Sequence, residues 1–341
     1  MGRAVAVVCP KGGVGKTTVT VNLASALADK GFHCLLVGVD PQCGLLSSFG
    51  RDRFEIDYGL LDFFDPEGDP ARVVQNSAVP NLDFITSNVW SREEETELFE
   101  RAAAEPERLA SALAAHRLRY DFLFLDCPPN MGPLTAAALR AADAYLVPLQ
   151  AEELAYHALP RLFDAIDELA RGGAPMPEFM GIVLNQVDER TRLANEIITR
   201  VRDDYGELVF QTMIPRTVRL AEVARRGRPV NLFNRAGAGA RAFAALAEEI
   251  IPGAPRSESR ADSEAVLAVG AGGTGSESAA AVPVALEAAP RAAADCDAAD
   301  RPGGEPVISL DEIDESGASD GLRTRPSLDD YDGVGDEDRY H

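Results

Sequence analysis

The stretch CPKGGVGKTT, residues 9–18, decides how the rest of this sequence is interpreted. It follows the apolar run RAVAVVC (3–9) and leads into a helical pattern that Gly31 closes, so its glycines lie between a strand and a helix. Glycines in that position let successive backbone N–H groups and a helix N-terminus face an anion. The stretch therefore predicts a loop that binds phosphate groups.

The polar positions of this loop suit the phosphates of a nucleotide. Lys16 can reach the β- and γ-phosphates, and the hydroxyl of Thr17 can bind Mg²⁺. Pro10 stands where G-x-x-x-x-G-K-[ST] has its first glycine, and a second lysine, Lys11, follows it. Only three lysines occur in the chain, so two of them in one loop are not expected by chance. The predicted nucleotide contacts of this loop are Lys11, Gly12, Gly13, Val14, Gly15, Lys16, Thr17 and Thr18.

Apolar runs alternate with helical patterns throughout residues 1–251. The runs are too continuously apolar for half-exposed strands, which favours a parallel sheet covered on both faces. We predict one doubly wound α/β domain over 1–251, with a mostly parallel sheet and a final helix at 238–251. The predicted strands are 3–9, 33–40, 81–87, 121–126, 144–150, 179–186 and 208–214.

Residues 252–341 differ sharply from the rest in composition. They hold 20 acidic and 7 basic residues, a net charge of −13 out of −22 for the 341-residue chain. They are rich in Ala, Gly, Ser, Pro and Asp, and they contain almost no aromatic residues. Such a segment cannot bury enough apolar area to offset its ordering entropy, so we predict a disordered acidic tail.

The five cysteines contain no C-x-x-C pair, and four of them lie in or beside apolar runs. This pattern favours buried, reduced thiols over a metal site or disulfides. No run approaches the roughly 18 apolar residues of a membrane span. We therefore expect a cytoplasmic protein that does not associate with a membrane.

Three segments together resemble one protein family. KGGVGKTT (11–18) resembles the deviant Walker A motif of the ParA/MinD family of P-loop ATPases. VGVDPQ (37–42) is similar to the second motif of that family, and YDFLFLDCPPNMGPLT (120–135) is similar to its Walker B segment. The resemblance covers about residues 1–251 and implies a P-loop NTPase fold, ATP and Mg²⁺ as cofactors, and hydrolysis of ATP to ADP and phosphate.

The resemblance also implies roles for individual residues. Lys11 is expected to reach across a dimer interface to the nucleotide phosphates of the other subunit. Asp40 is expected to orient the attacking water, and Asp126, at the carboxyl end of a buried strand, to hold a Mg²⁺-bound water. The predicted catalytic residues are thus Lys11, Lys16, Asp40 and Asp126. The predicted metal site consists of Thr17, Asp40 and Asp126.

Adenine-side contacts are implied for Pro215 and Arg216, with Asn185 nearby. Two positions depart from the family pattern. Gly38 replaces the first aspartate of D-x-D-P-Q, and Thr217 stands where many relatives have asparagine. Gly38 is the one feature that favours a scaffold with slow hydrolysis.

Residues 190–241 carry eleven arginines and five acids, a net charge of +6 in an otherwise acidic chain. Such a stretch can bind phosphate backbones without reading their sequence. In the ParA branch, the corresponding region of an ATP-bound dimer is implied to bind DNA non-specifically. The best candidates are Arg225, Arg226 and Arg228, because they share one short loop. The alternative is a solvated face whose arginines pair with local acids.

The resemblance is to the short, Soj-like type of ParA, which has no helix-turn-helix domain before the loop. It predicts a nucleoid-associated ATPase that dimerises with ATP and positions a chromosome, plasmid or protein cargo, with a ParB-like partner that stimulates hydrolysis. A MinD-like or scaffold-type positioning ATPase that acts without DNA is the alternative. A MinD-like protein should end in a basic amphipathic helix, whereas this chain ends DGVGDEDRYH. The acidic tail can act as a solubilising segment or compete with DNA for the arginines.

Overall fold

The computed structural model describes residues 1–65, 72–173 and 175–253. Apart from Pro252 and Gly253, the predicted acidic tail lies outside the described residues. Within them, seven strands form one sheet in the order β3-β4-β2-β5-β1-β6-β7. The strands are β1 Arg3–Val7, β2 Cys34–Gly38, β3 Gln75–Asn76, β4 Leu82–Ile85, β5 Phe122–Asp126, β6 Ala144–Gln150 and β7 Glu178–Asn185.

All neighbouring strands are parallel except β3, which pairs antiparallel with β4 at one edge. The predicted doubly wound, mostly parallel α/β fold is therefore confirmed. Side chains of β1 alternate between two cores, Ala4 and Ala6 on one face and Val5 and Val7 on the other. This alternation is the two-residue period of a strand that is buried on both faces.

Helices cover both faces of the sheet. Residues of α1, α2 and α12 lie in one core, and residues of α4 to α8 lie in the other. The helices are α1 Lys16–Asp29, α2 Gly44–Ser48, α3 Leu60–Phe63, α4 Arg92–Ala104, α5 Arg108–Leu113, α6 Pro133–Ala141, α7 Glu153–Arg171, α8 Arg192–Tyr205, α9 Val218–Ala221, α10 Val223–Arg226, α11 Val230–Phe233 and α12 Ala238–Ile250. None of the helices in the described ranges is long and apolar enough to cross a bilayer.

The strand predicted at 208–214 is wrong. This segment forms one isolated bridge, Ile182 with Val209, and a second bridge, Val187 with Pro215, follows directly after it. Between the bridges, the backbone N–H groups of Gln211 and Thr212 each donate to the carboxylate of Glu249, at 2.8 Å in both cases. In a strand, consecutive N–H groups point to opposite sides, so two neighbouring donors bound by one carboxylate interrupt the strand. The flanking N–H groups of Phe210 and Ile214 still donate to the β7 carbonyls of Ile182 and Leu184.

Candidate functional site

The loops that follow β1, β2 and β5 meet at the carboxyl edge of the sheet. β5 lies between β1 and β2, and Asp126 at its end is in register with both Val7 and Gly38. The N–H group of Asp40 donates to the Asp126 carbonyl at 3.2 Å. The three motifs found in the sequence therefore converge where ligands of open α/β sheets bind.

The loop between β1 and α1 has the backbone geometry of an anion cradle. Gly13 and Gly15 adopt left-handed φ values of 76° and 85°, and Gly15 is the residue directly before α1. A β-carbon built on Gly12 or Gly13 would meet no atom within 4 Å. Because neither glycine is covered, the loop backbone at the start of α1 is accessible to a phosphate group.

Lys16 and Thr17 begin α1 and point into this site. Lys16 is only 7% exposed, and its Nζ donates to the carbonyls of Cys9 at 3.2 Å and Lys11 at 3.5 Å. The Thr17 Oγ1 donates to Asp126 Oδ2 at 2.6 Å. The arrangement places an ammonium group, a hydroxyl and a carboxylate around one short loop.

Asp126 is buried, and its second oxygen, Oδ1, has no hydrogen-bond partner among the described residues. Burial is the largest effect on this carboxyl and raises its pKa to about 7. The hydrogen bond from Thr17 lowers the pKa, and the charge of Asp40 raises it further. Oxygen donors of this kind suit Mg²⁺, which a protein binds with one or two side chains together with substrate phosphates. Thr17 and Asp126 therefore fit a magnesium ion that accompanies a nucleotide.

Asp40 lies just beyond β2 and is partly exposed. Its Oδ1 accepts a hydrogen bond from the Gln42 N–H at 3.0 Å. Gly38, two residues earlier, is tightly packed, because a β-carbon there would lie 3.2 Å from Cδ1 of Leu45. An aspartate at position 38 would have to displace Leu45, so the packing of Leu45 accounts for the glycine at this position of the family motif. Asp40 still lies at the end of the motif.

Lys11 is bound to side chains of its own chain. Its Nζ donates to Glu152 Oε2 at 2.5 Å and to Gln150 Oε1 at 3.0 Å. Both partners lie at the carboxyl end of β6, beside the phosphate loop. The predicted contact of Lys11 with a second subunit stays a prediction, and it requires this ion pair to open.

Amide side chains at the ends of β6 and β7 hold the loop in place. Gln150 and Gln186 each donate to the Gly13 carbonyl, at 3.2 and 3.0 Å, and Asn185 donates to the Val14 carbonyl at 2.6 Å. Asn185 is buried and supports the loop backbone. Sequence reasoning missed Gln150 and Gln186, although each ends an apolar strand-like run, which was the available signal.

The predicted adenine-side segment lies next to the end of β7. Pro215 forms an isolated parallel bridge with Val187, and the Arg216 N–H donates to the Val187 carbonyl at 2.9 Å. Thr217 caps α9, since its Oγ1 accepts from the Leu220 N–H at 3.2 Å. The segment and the phosphate loop therefore flank the same strand end, and their contact with a base stays a prediction.

The arginines of residues 190–241 are partly paired with acids, as the alternative interpretation expected. Six of the eleven form ion pairs, namely Arg190, Arg192, Arg200, Arg219, Arg226 and Arg235. Arg225 and Arg228 are exposed and form no ion pair with a described residue. Arg226 pairs with Glu222 at 2.8 Å, and its guanidinium lies 5.0 Å from the ring centroid of Phe233. Arg225 and Arg226 end α10, so the prediction that they share one short loop with Arg228 is wrong. The end of α10 together with Gly227 and Arg228, which we call the loop of residues 225–228, keeps charge that neighbouring acids do not neutralise.

The cysteines in the described ranges are free thiols, and Cys9, Cys34 and Cys127 are buried. Burial raises the pKa of all three thiols. The predicted burial is thus found for these three, whereas Cys43 is half-buried and Cys296 lies outside the described residues. Within the same ranges, no cluster of three or more His, Cys, Asp or Glu side chains could hold a metal ion by itself.

Comparison with known proteins gives a consistent result. Residues 2–174 match the family described as AAA domain. The chain is 34% identical over 250 residues to the sporulation initiation inhibitor protein Soj of Bacillus subtilis, which covers 73% of this chain and 98% of Soj. It is 36% identical over 251 residues to the chromosome partitioning protein ParA of Caulobacter vibrioides, covering 73% of this chain and 94% of that protein.

Among solved structures, cobyrinic acid a,c-diamide synthase from Mycobacterium smegmatis, with bound ADP and magnesium, has a TM-score of 0.63. It is 28% identical, and the match covers 74% of this chain and 94% of the synthase.

Proposed function

The chain belongs to the ParA/MinD family of P-loop ATPases, and we propose that it is a Mg²⁺-dependent, ParA-like positioning ATPase that dimerises with ATP and then binds DNA non-specifically. The observation that carries the proposal is the contact of Thr17 with Asp126 beside the buried Lys16. Soj and ParA, at 34% and 36% identity over nearly their whole lengths, support partitioning as the purpose of the ATPase.

The residues of the site divide the chemistry between them. Lys16 and the loop backbone bind and orient the phosphates, while Thr17 and Asp126 hold the metal. Mg²⁺, when bound with ATP, neutralises charge on the phosphate oxygens. Asp40 is the partly exposed carboxylate left to orient water, since Asp126 already accepts from Thr17.

Dimerisation is proposed to depend on Lys11. Its ammonium group now pairs with Glu152, which is 54% exposed at the side chain, so solvent weakens this ion pair. The phosphates of a nucleotide in a second subunit offer a stronger, more highly charged partner. If Lys11 exchanges Glu152 for these phosphates, dimerisation becomes dependent on ATP.

Replacing Lys11 with alanine should abolish ATP-induced dimerisation while each subunit still binds ATP. The measurement is size-exclusion chromatography with light scattering, with ATP and with ADP. Lys30→Ala is the matched control, because Lys30 also forms an ion pair, with Glu248 at 2.7 Å. A Lys11→Ala protein that dimerises with ATP as the Lys30→Ala control does would contradict the role given to Lys11.

DNA binding is proposed to use the loop of residues 225–228. Each subunit presents few unpaired positive charges, so one subunit alone binds weakly and a dimer gains by avidity. The opposite charge of the rest of the chain makes this loop the favourable side for a polyanion.

Replacing Arg225 and Arg228 with alanine should weaken DNA binding with ATP by about tenfold or more and should reduce its salt dependence. Fluorescence anisotropy with DNA of unrelated sequences at two salt concentrations measures both effects. Arg161→Ala/Arg171→Ala removes the same charge from exposed positions of α7 and serves as control. Equal losses in both double variants would assign the effect to net charge and would remove the loop from the interface.

A scaffold that binds ATP but hydrolyses it slowly is the second candidate, and Gly38 is the observation that favours it. Leu45 occupies the space beside Gly38 that a longer side chain would need. A ParB-like partner is proposed to stimulate hydrolysis in either case. Phosphate release measured with and without such a partner separates the two candidates.

A further inference from the structure

Two glycines from distant parts of the chain are in direct backbone contact. Gly50 follows α2, Gly227 ends α10, and both are left-handed, with φ values of 62° and 59°. A β-carbon built on Gly227 would lie 2.4 Å from the Gly50 Cα, and one built on Gly50 would lie 3.2 Å from the Gly227 Cα. A side chain on Gly227 would overlap the Gly50 backbone, while one on Gly50 would only crowd Gly227, so this approach depends above all on the glycine at position 227.

On one side, the contact leads to the nucleotide site. α2 begins at Gly44, where a β-carbon would lie 3.2 Å from the Oγ1 of Thr17, the residue that contacts Asp126. The helix has five residues and spans about 7 Å, and the Gly50 N–H donates to the Ser47 carbonyl at 3.3 Å. α2 is therefore a short connection with one end at Thr17 and the other at Gly50.

On the other side, the contact leads to the arginines. Gly227 stands between Arg226 and Arg228, and the Arg226 N–H donates to the Glu222 carbonyl at 2.8 Å. The side chain of Glu222 also accepts from Arg226 at 2.8 Å. A shift of Gly227 must therefore change the backbone from which the exposed guanidinium groups project.

We infer that Gly50 and Gly227 are positioning residues that connect the state of the nucleotide site to the arginine loop of residues 225–228. The inference rests on the proposed function for its biological meaning. Its physical basis is that packed backbones transmit displacement, since neither side of a van der Waals contact can be compressed. When Thr17 changes its partners, Gly44 and α2 carry the change to Gly50, and Gly227 follows.

A substitution series separates the contact from backbone strain. Gly227→Ala introduces a left-handed alanine and a steric overlap with Gly50. Gly206→Ala is the matched control, because Gly206 has a φ of 50° and no atom within 4 Å of a built β-carbon. Both variants place an alanine at a positive φ, but ψ is 32° at Gly227 and −123° at Gly206, so their backbone costs differ. The comparison is therefore made on the ATP-induced change in the folded proteins, and Gly206→Ala tests whether a positive-φ alanine without the overlap removes that change. Gly50→Ala, with its longer separation, is the milder second variant should Gly227→Ala not fold.

The test is amide hydrogen exchange of residues 222–230 in the full chain, with and without Mg²⁺ and ATP, followed by DNA anisotropy. ATP should change exchange in this segment of the wild-type chain and of Gly206→Ala. In Gly227→Ala or Gly50→Ala, that change should be lost, and the ratio of DNA affinities with ATP and ADP should fall about fivefold or more.

Two results would overturn the inference. The first is an ATP-induced exchange change in Gly227→Ala and Gly50→Ala as large as in Gly206→Ala. The second is a wild-type segment whose exchange does not respond to ATP, whatever its DNA affinity. A wild-type segment that responds to ATP in a chain without DNA binding would support the connection while removing the proposed DNA function.

Discussion

Replacing Lys16 with alanine is expected to weaken ATP binding by about 100-fold or more. Lys16 is the buried ammonium group of the phosphate loop, and its neighbours in the described chain are carbonyl oxygens, which cannot replace its charge. Isothermal titration with a non-hydrolysable ATP analogue measures the loss. DNA binding with ATP should disappear with it.

Lys11→Ala is the control for Lys16→Ala, because it removes the other lysine of the same loop. It should leave the ATP affinity of a single subunit within a few-fold of the wild type while it prevents dimerisation. Similar ATP affinities for the wild type and Lys16→Ala would show that the loop does not bind phosphates as described.

Replacing Asp126 with asparagine is expected to remove the contribution of Mg²⁺ to ATP binding. Asparagine retains a partner for Thr17, but it lacks the charge and the second carboxylate oxygen that fit the ion. In the wild type, ATP with Mg²⁺ should raise the melting temperature more than ATP with EDTA does. In the variant, the two increases should be equal.

The stability of the nucleotide-free Asp126→Asn protein should stay within about 1 kcal/mol of the wild type, because burial already disfavours the charged carboxylate. Asp83→Asn is the control, as its carboxylate accepts from the Tyr120 hydroxyl at 2.8 Å on β4, outside the nucleotide site. A Mg²⁺-dependent thermal shift in Asp126→Asn equal to that in Asp83→Asn would exclude Asp126 from the metal site.

Much of the fold and of the nucleotide site could be predicted because their causes are local. The role of each motif can be recognised from a few neighbouring residues. Examples are glycines before a helix, a lysine and a threonine at its start, and an aspartate at the end of a buried apolar run. Six of the seven predicted strands are present for the same reason, since continuous burial leaves a pattern that any single strand displays. β3 was missed because a strand of two residues carries no such pattern.

The remaining features depend on contacts between distant residues. The segment 208–214 has the composition of a strand, yet Glu249 takes two of its N–H groups. Gln150 and Gln186 support the phosphate loop through the Gly13 carbonyl, although they are separated from Gly13 by 137 and 173 positions in the sequence. The contact of Gly50 with Gly227 leaves no trace in either local sequence, because glycine is also the ordinary residue of a surface turn.

The most direct test of the proposed function is the affinity of the wild-type protein for DNA of unrelated sequence, measured with ATP, with ADP and without nucleotide at one fixed salt concentration. We expect tight binding only with ATP and Mg²⁺, and weak binding under the other two conditions. Equal affinity under all three conditions, or none under any of them, would contradict a DNA-binding state controlled by ATP.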